Sequence, residues 1–472
     1  MARRDRGSCI DRVLRANLLG AQRRPGRLLP LTMKTLLRIL FFLLLGFTAH
    51  GGEPGSLVTT AFVDVTVLPM DAERTLPRQT VLVRGDRVIA IGPVGELTVP
   101  ADARRIDGTG RFLLPGLGEM HGHNPPPGSS RRAIEDNYFL FLANGVTTVR
   151  GMLGYPGQIE LREQVTRGEI AGPTLYLAGP SFRGPSVGSP QQAERMVREQ
   201  KAEGWDLLKV HPGLRRDVYD AMARTADEVG IRFAGHIPAD VGLVHAIARR
   251  QETVDHLDGY IEHLDAGTRP LDPAKLAEIV RLTREAGVAV VPTMVLWEAI
   301  IGSANLDEMT AFPELKYMPP ATVAAWTRNY AAQTRAPGFD RSRAAQIAAS
   351  RRVVLKALAD GGVTILFGTD APQIFSVPGF SIHREIQAMA AAGLSNYAIL
   401  RSATANIGDY FKAKDRFGTV AVGQRADLIL LEANPLADLR HLTRRTGVMV
   451  RGRWWSEAEL QARLAAFSGN AH

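Results

Sequence analysis

Between Leu113 and Gly368 the sequence alternates short apolar runs with amphipathic stretches of helical period, and no other feature restricts the fold as strongly. The runs are Leu113–Met120, Thr147–Gly151, Leu175–Ala178, Asp206–His211, Arg232–His236, Thr253–Leu257, Val288–Met294 and Val363–Gly368. Helical stretches fill the gaps, among them Pro190–Glu203, Asp217–Val229, Pro273–Ala286 and Arg343–Ala359. Such alternation argues for an α/β fold with a parallel sheet, and eight units fit a closed (β/α)8 TIM-like barrel better than an open sheet. The segment 296–340, after the seventh run, is longer than a usual connection. It carries Trp297, Tyr317, Trp326 and Tyr330, which read equally as a substrate wall or as packing of the loop onto the barrel.

Outside this region the pattern is strand and turn. Val63–Leu68, Thr80–Arg84 and Arg87–Ile91 are β-branched runs, with Gly85-Asp86 as a hairpin turn between the last two. A matching pattern returns at Gly418–Val422, Asp427–Leu431 and Gly447–Trp455. The two blocks are expected to join as a small β-sandwich built from both ends of the chain. The domain reading is residues 52–113 and 413–472 for the sandwich and tail, with 114–412 as the barrel.

The formal charge of +9 invites a nucleic-acid reading, so its location matters. Residues 1–51 hold ten Lys and Arg against two acids, which assigns +8 of the charge to this arm. The body is nearly neutral, and a basic nucleic-acid surface is excluded. Met33-Lys34 to Arg38 is basic, Ile39–Phe47 is apolar, and Ala49-His50-Gly51 supplies small residues before Gly52. This is the pattern of a signal peptide, too short to span a bilayer, with Met33 as the expected start and residues 1–32 as an upstream extension. Export to a periplasm or the exterior is the expectation, with no stable membrane span after cleavage. Cys9, the only cysteine, lies in the arm, so any metal in the body must be held by His, carboxylates or something unusual.

Histidines gather at the ends of the apolar runs. His121 and His123 follow the first, His236 the fifth and His256 the sixth, while Asp370 follows the eighth in Gly368-Thr369-Asp370. Catalytic groups of barrels cluster at strand C-termini, and residues two apart on a strand share a face. Singly, each histidine reads as a hydrogen-bonded core residue; jointly, four imidazoles and a carboxylate suit Zn²⁺ or a similar ion. An Asp beside such an ion would take a proton from water acidified there. Lys209 sits in the apolar run Asp206–His211, where burial lowers an amine's pKa. A neutral amine can react with CO₂ to give a carbamate that bridges two cations, or it can simply pair with an acid. His211 lies on the same face and is left outside the ligand set.

At these residues the sequence resembles the amidohydrolase superfamily, and within it the imidazolonepropionase-like, prolidase-like branch. The matching segments are LLPGLGEMHGH, GVTTVRGM, DLLKVH, AGH, TVDHLDG and LFGTDAP, followed by GTVAVGQRADLILLEANPLADL and VMVRGRWW. The resemblance implies two divalent metal ions, with zinc the default from ligand softness. His121, His123 and Asp370 would bind one, His236 and His256 the other, and Lys209, as a CO₂-derived carbamate, would bridge them. A bridging hydroxide would attack the substrate carbonyl, with Asp370 shuttling the proton to the leaving amine. Arg150 would reach a substrate carboxylate or brace the barrel mouth, and His383 matches a position near the pocket.

Two departures narrow the reading. Deaminases of the superfamily carry Glu where this chain has Ala239, and imidazolonepropionase uses one metal without a carboxylated lysine, so Lys209 argues against that substrate. Pro238 also departs from the commoner small residues after the fifth strand. The expected substrate is a small molecule or short peptide, such as a dipeptide or N-acyl amino acid, cleaved at an amide bond. A lactonase or phosphotriesterase would need the same ligands. A non-catalytic metal-binding barrel would be marked by a missing ligand or a missing Asp370, and none is missing. A homo-oligomer is compatible with the sequence.

Overall fold

The structure is a computed structural model that describes residues 58–468; the arm read as a signal peptide, with Cys9, lies outside the described residues. Five strands come first: β1 (Thr59–Val67), β2 (Leu76–Arg84), β3 (Arg87–Pro93), β4 (Arg104–Asp107) and β5 (Phe112–Pro115). Seven short parallel strands follow between helices: β6 (Leu117–Gly122), β7 (Val146–Gly151), β8 (Thr174–Leu177), β9 (Leu207–Val210), β10 (Arg232–Gly235), β11 (Thr253–Asp255) and β12 (Ala289–Val291). Near the C-terminus lie β13 (Leu428–Leu431), β14 (Arg445–Val450) and β15 (Arg453–Ser456).

The parallel strands form two regular sheets, β6-β7-β8 and β9-β10-β11-β12, rather than one closed ladder. Isolated bridges join them: Ala178 to Leu207 and Phe182 to Val210 on one side, Val290 to Ile365 on the other. The expected eighth strand, 363–368, is thus a single bridge plus backbone hydrogen bonds, including Met120 N to Phe367 O at 2.8 Å. Helix bounds follow their local signals closely. Pro190–Glu203 starts on Ser189, whose hydroxyl accepts from Gln192 N, and ends at left-handed Gly204; Pro273–Ala286 starts on Asp272 and ends at left-handed Gly287. Among the described residues no helix is long and apolar enough to cross a membrane.

The two blocks of strands do meet: pairing runs through one eight-stranded sheet, β15-β14-β13-β5-β1-β2-β3 with β4 on β1, and the sheet curls so that Trp454 of β15 meets Phe62 of β1 at 5.3 Å. Its buried face gathers Phe62, Val65, Val81, Leu428, Met449 and Trp454. Three local expectations are corrected. Leu113–Met120 is two strands in different sheets, because the chain crosses over at Gly116, where a Cβ would lie 2.1 Å from Thr147 Oγ1. Gly447–Trp455 is a hairpin turning at Arg451-Gly452, both at positive φ. Gly418–Val422 forms no strand; its Val420 amide donates to Pro69 O, and Gly423, just past the segment, donates to Val88 O.

Segment 296–340 is helical rather than a loop: Met294–Ile300, Leu306–Thr310 and Pro320–Thr334, with a 3₁₀ turn at Pro313–Tyr317. The seventh run accordingly stops at Val291. Pro292 has no amide for the ladder, and the Glu385 carboxylate accepts from Met294 N and Val295 N at 2.8 and 3.0 Å. Tyr317 stacks on Phe380, Trp326 packs on Phe375, and the Tyr330 hydroxyl donates to Ala304 O. Trp297 differs, lying 5.6 Å from the His256 ring.

Candidate metal centre

The strand ends deliver their polar side chains to one buried cluster. His121, inside β6, and His123, just past it, have ring centroids 5.7 Å apart. The His121 ring lies 4.4 Å from that of His256, and His256 lies 4.6 Å from His236. Asp370 Oδ1 is 2.5 Å from His123 Nε2 and 3.7 Å from His121 Nε2, while its Oδ2 is 3.7 Å from His256 Nε2. Lys209 Nζ, wholly buried in β9, is 3.1 Å from His121 Nε2. The six residues singled out in the sequence are therefore neighbours, although they come from five separate segments.

A further set of side chains orients the imidazoles. His121 Nδ1 lies 2.8 Å from Asp255 Oδ2, His236 Nδ1 2.6 Å from Asp258 Oδ2, and His256 Nδ1 2.7 Å from Thr293 Oγ1. For His236 and His256 a hydrogen bond holds Nδ1 and leaves Nε2 free, the arrangement that fixes tautomer and aim in metal-ligating histidines. His121 Nδ1 is close to Asp255 but outside hydrogen-bond geometry. Gln373 Nε2 donates to Asp370 Oδ1 at 2.6 Å. Glu119, also wholly buried, accepts from His121 N and Thr369 N at 2.9 Å and from Thr369 Oγ1 at 2.6 Å, pinning the eighth segment to β6.

Burial dominates the electrostatics. It holds His121 and His256 well below the usual imidazole range, aided by Lys209 beside the first and by His121 beside the second. Both are therefore neutral, the form that donates a lone pair to a cation. Burial also brings Lys209 down to about 8 against the opposing charges of Asp255 and Asp370, and drives Glu119 up to about 8 despite its hydrogen bonds to Thr369.

The donor atoms fit a cation. One ligand atom each of His121, His256 and Asp370 lies within 4.8 Å of the others, and all three residues are buried. Two imidazole nitrogens and a carboxylate oxygen suit a borderline divalent ion, and His123 shares the same Asp370 oxygen.

The remaining candidates lie beside the cluster or away from it. Arg150 has no exposure, and its guanidinium donates to Met120 O, Thr253 Oγ1, Asp255 and the Tyr410 hydroxyl. Of its two readings, the internal brace matches these contacts and the reach toward a substrate carboxylate does not. His383 faces a groove with Gln387, Asn396, Asp438 and Arg440. There burial pushes its imidazole down to about 3. His211 stacks on His236 at 4.9 Å.

Sequence reasoning passed over Glu119, Asp255, Asp258 and Thr293. Glu119 carried a signal, since it alternates with His121 and His123 in an apolar strand. Asp255 and Asp258 flank His256 within one matching segment, but nothing local says which imidazole each would meet.

Comparisons with known proteins place the chain by family and fold. The family model described as "Amidohydrolase family" matches residues 112–455. An ochratoxinase of Aspergillus niger is 24% identical over 439 residues, covering 79% of this chain and 81% of the relative. Among solved structures, a bottromycin amidohydrolase matches with TM-score 0.68 at 24% identity, over 88% of this chain and 90% of its own. A Xaa-Pro dipeptidase with methionine bound in its active site matches with TM-score 0.64 at 21% identity, over 84% and 100%. The structural likenesses establish a shared fold.

Proposed function

From the premise that the chain belongs to the amidohydrolase family, we propose that it hydrolyses the amide bond of a small substrate such as a dipeptide or an N-acyl amino acid. The observation that carries the reading is the convergence of His121, His123, Lys209, His236, His256 and Asp370, with His121, Lys209, His256 and Asp370 buried. The names of the bottromycin amidohydrolase and the Xaa-Pro dipeptidase support the amide as the bond broken.

His121, His123 and Asp370 would hold one divalent ion, zinc by default, and His236 and His256 a second, with Lys209 shared as a carbamate. Bound ions would supply Lewis-acid polarisation of a carbonyl and acidification of water. The chain's own part is proton transfer and orientation. As water adds to the amide carbon, Asp370 takes its proton at a carboxylate oxygen, then delivers it to the amine nitrogen as the C–N bond breaks. Gln373 holds that carboxylate by its hydrogen bond to Oδ1, and Asp258 and Thr293 keep the His236 and His256 imidazoles aimed. The two parallel sheets act as one closed (β/α)8 barrel in this reading, supported by the bridges that join them.

A hydrolysis screen of dipeptides, N-acyl amino acids, lactones and phosphotriesters against metal-reconstituted protein tests the bond. Turnover confined to lactones or phosphotriesters would overturn the amide assignment. Export is part of the proposal and rests on residues 33–51. N-terminal sequencing of secreted protein should begin near Gly52, and an intact arm would overturn it.

A further inference from the structure

The helix Arg341–Asp360 buries Ala344, Ala348, Arg351, Leu355 and Leu358, a stripe at three- and four-residue steps with a guanidinium at its centre. Arg351 is 2% exposed; burial pulls its pKa down to about 10, against the more distant charges of Asp258, Glu385, Glu262 and Glu298. Its guanidinium donates to two backbone oxygens, from Nη1 to His256 O at 2.5 Å and from Nη2 to Pro292 O at 3.1 Å. Its Nε is buried without a hydrogen bond. A cation so placed is costly to keep, and two carbonyls are what its fork can bridge.

Those two carbonyls belong to the strained part of the site. His256, Leu257 and Thr293 all have left-handed backbones, with φ of 65°, 55° and 43°. Side chains disfavour that region, and it persists only where the surroundings over-determine it. Arg351 grips the chain at the first of these residues and immediately before the third. The ends of β11 and β12 are also tied by His256 N to Val291 O at 2.7 Å and by His256 Nδ1 to Thr293 Oγ1. Trp297 lies between, its ring 5.1 Å from the guanidinium carbon and 5.6 Å from the His256 ring.

We infer that Arg351 is a positioning residue for the metal centre: by bridging the His256 and Pro292 carbonyls it holds the left-handed turn that turns His256 Nε2 toward Asp370 and His121. The inference rests on the metal-dependent reading of the cluster. Arg351→Lys keeps the charge but has no fork, and Arg351→Met removes both. Arg352→Ala, at the next residue along the helix, loses a partly exposed ion pair with Glu298 and is the control.

Apoprotein of each is titrated with Zn²⁺ by calorimetry, and the Co²⁺-loaded forms are compared by visible absorption. Arg351→Met is expected to weaken Zn²⁺ binding about 10- to 100-fold and to change the Co²⁺ bands, with Arg351→Lys between it and the parent protein. Arg352→Ala should stay within about twofold of the parent. Unchanged affinity and an unchanged Co²⁺ spectrum in folded Arg351→Met or Arg351→Lys would overturn the inference while leaving the metal site intact. Failure of both variants to fold would make Arg351 a structural brace and overturn it equally. Failure of the parent protein to take up Zn²⁺ would instead overturn the metal reading, and this inference with it.

Discussion

His121 Nδ1 and Asp255 Oδ2 lie 2.8 Å apart at a depth where neither side chain is more than 1% exposed. The same carboxylate takes the Thr253 hydroxyl at 2.6 Å, faces Arg150 Nη2 at 3.3 Å and stands 4.0 Å from Lys209 Nζ. One buried acid thus stands against a candidate ligand, His121, and supplies the nearest counter-charge to the buried Arg150.

Asp255→Asn should therefore affect binding and stability together. It leaves the Arg150 guanidinium buried without its nearest counter-charge, with only the more distant Glu252 remaining, a change expected to cost about 3–5 kcal/mol. Urea denaturation measures the loss, and Arg150→Met added to Asp255→Asn should recover part of it. If the double variant is no more stable than Asp255→Asn, the stranded charge is not the cause.

Asp370→Asn keeps the shape of the side chain and removes its ability to take a proton. The variant should fold normally while turnover falls about 10²- to 10⁴-fold. Turnover near that of the parent protein would remove the proton-shuttle role.

Chelation should abolish activity and lower the melting temperature, since ions that bind only the folded chain add up to about 4 kcal/mol at a thousand times their Kd. Elemental analysis of the loaded protein is expected to find two ions per chain. One ion, together with an unmodified Lys209 by mass spectrometry, would defeat the two-metal assignment.

Glu385 makes stability depend on pH. Burial lifts its carboxyl from 4.5 to about 7, against the amides of Val295 and Met294 that favour the ionised form. The folded chain then holds this proton more tightly than the unfolded one. The contribution is complete below pH 4.5 and is lost as pH rises through about 7. Denaturation midpoints measured across that window should fall with rising pH, and Glu385→Gln should flatten the slope. An unchanged slope in the variant would assign the effect to another group.

The helices Pro190–Glu203 and Pro273–Ala286 were legible to the residue, because Ser189 and Asp272 cap one end and Gly204 and Gly287 the other. Segment 296–340 was not, since its aromatics mask the helical period and its capping signals, such as Asn305, are sparse. Break points at Gly116 and at Arg451-Gly452 were missed for a related reason: each lies inside an apolar run, and only the neighbouring strand shows that the chain must turn there.

By itself the sequence determined which segments alternate and which polar residues stand at strand ends, so His121, His123, His236, His256, Lys209 and Asp370 could be singled out. Those are local properties, set by residues two to four positions apart. Tertiary structure alone decided that Arg150 meets Asp255 across 105 positions, that Glu119 meets Thr369 across 250, and that Arg351 spans the His256 and Pro292 carbonyls. A buried polar group must be satisfied, but its partner depends on which strands lie side by side, and that follows from how the whole chain packs.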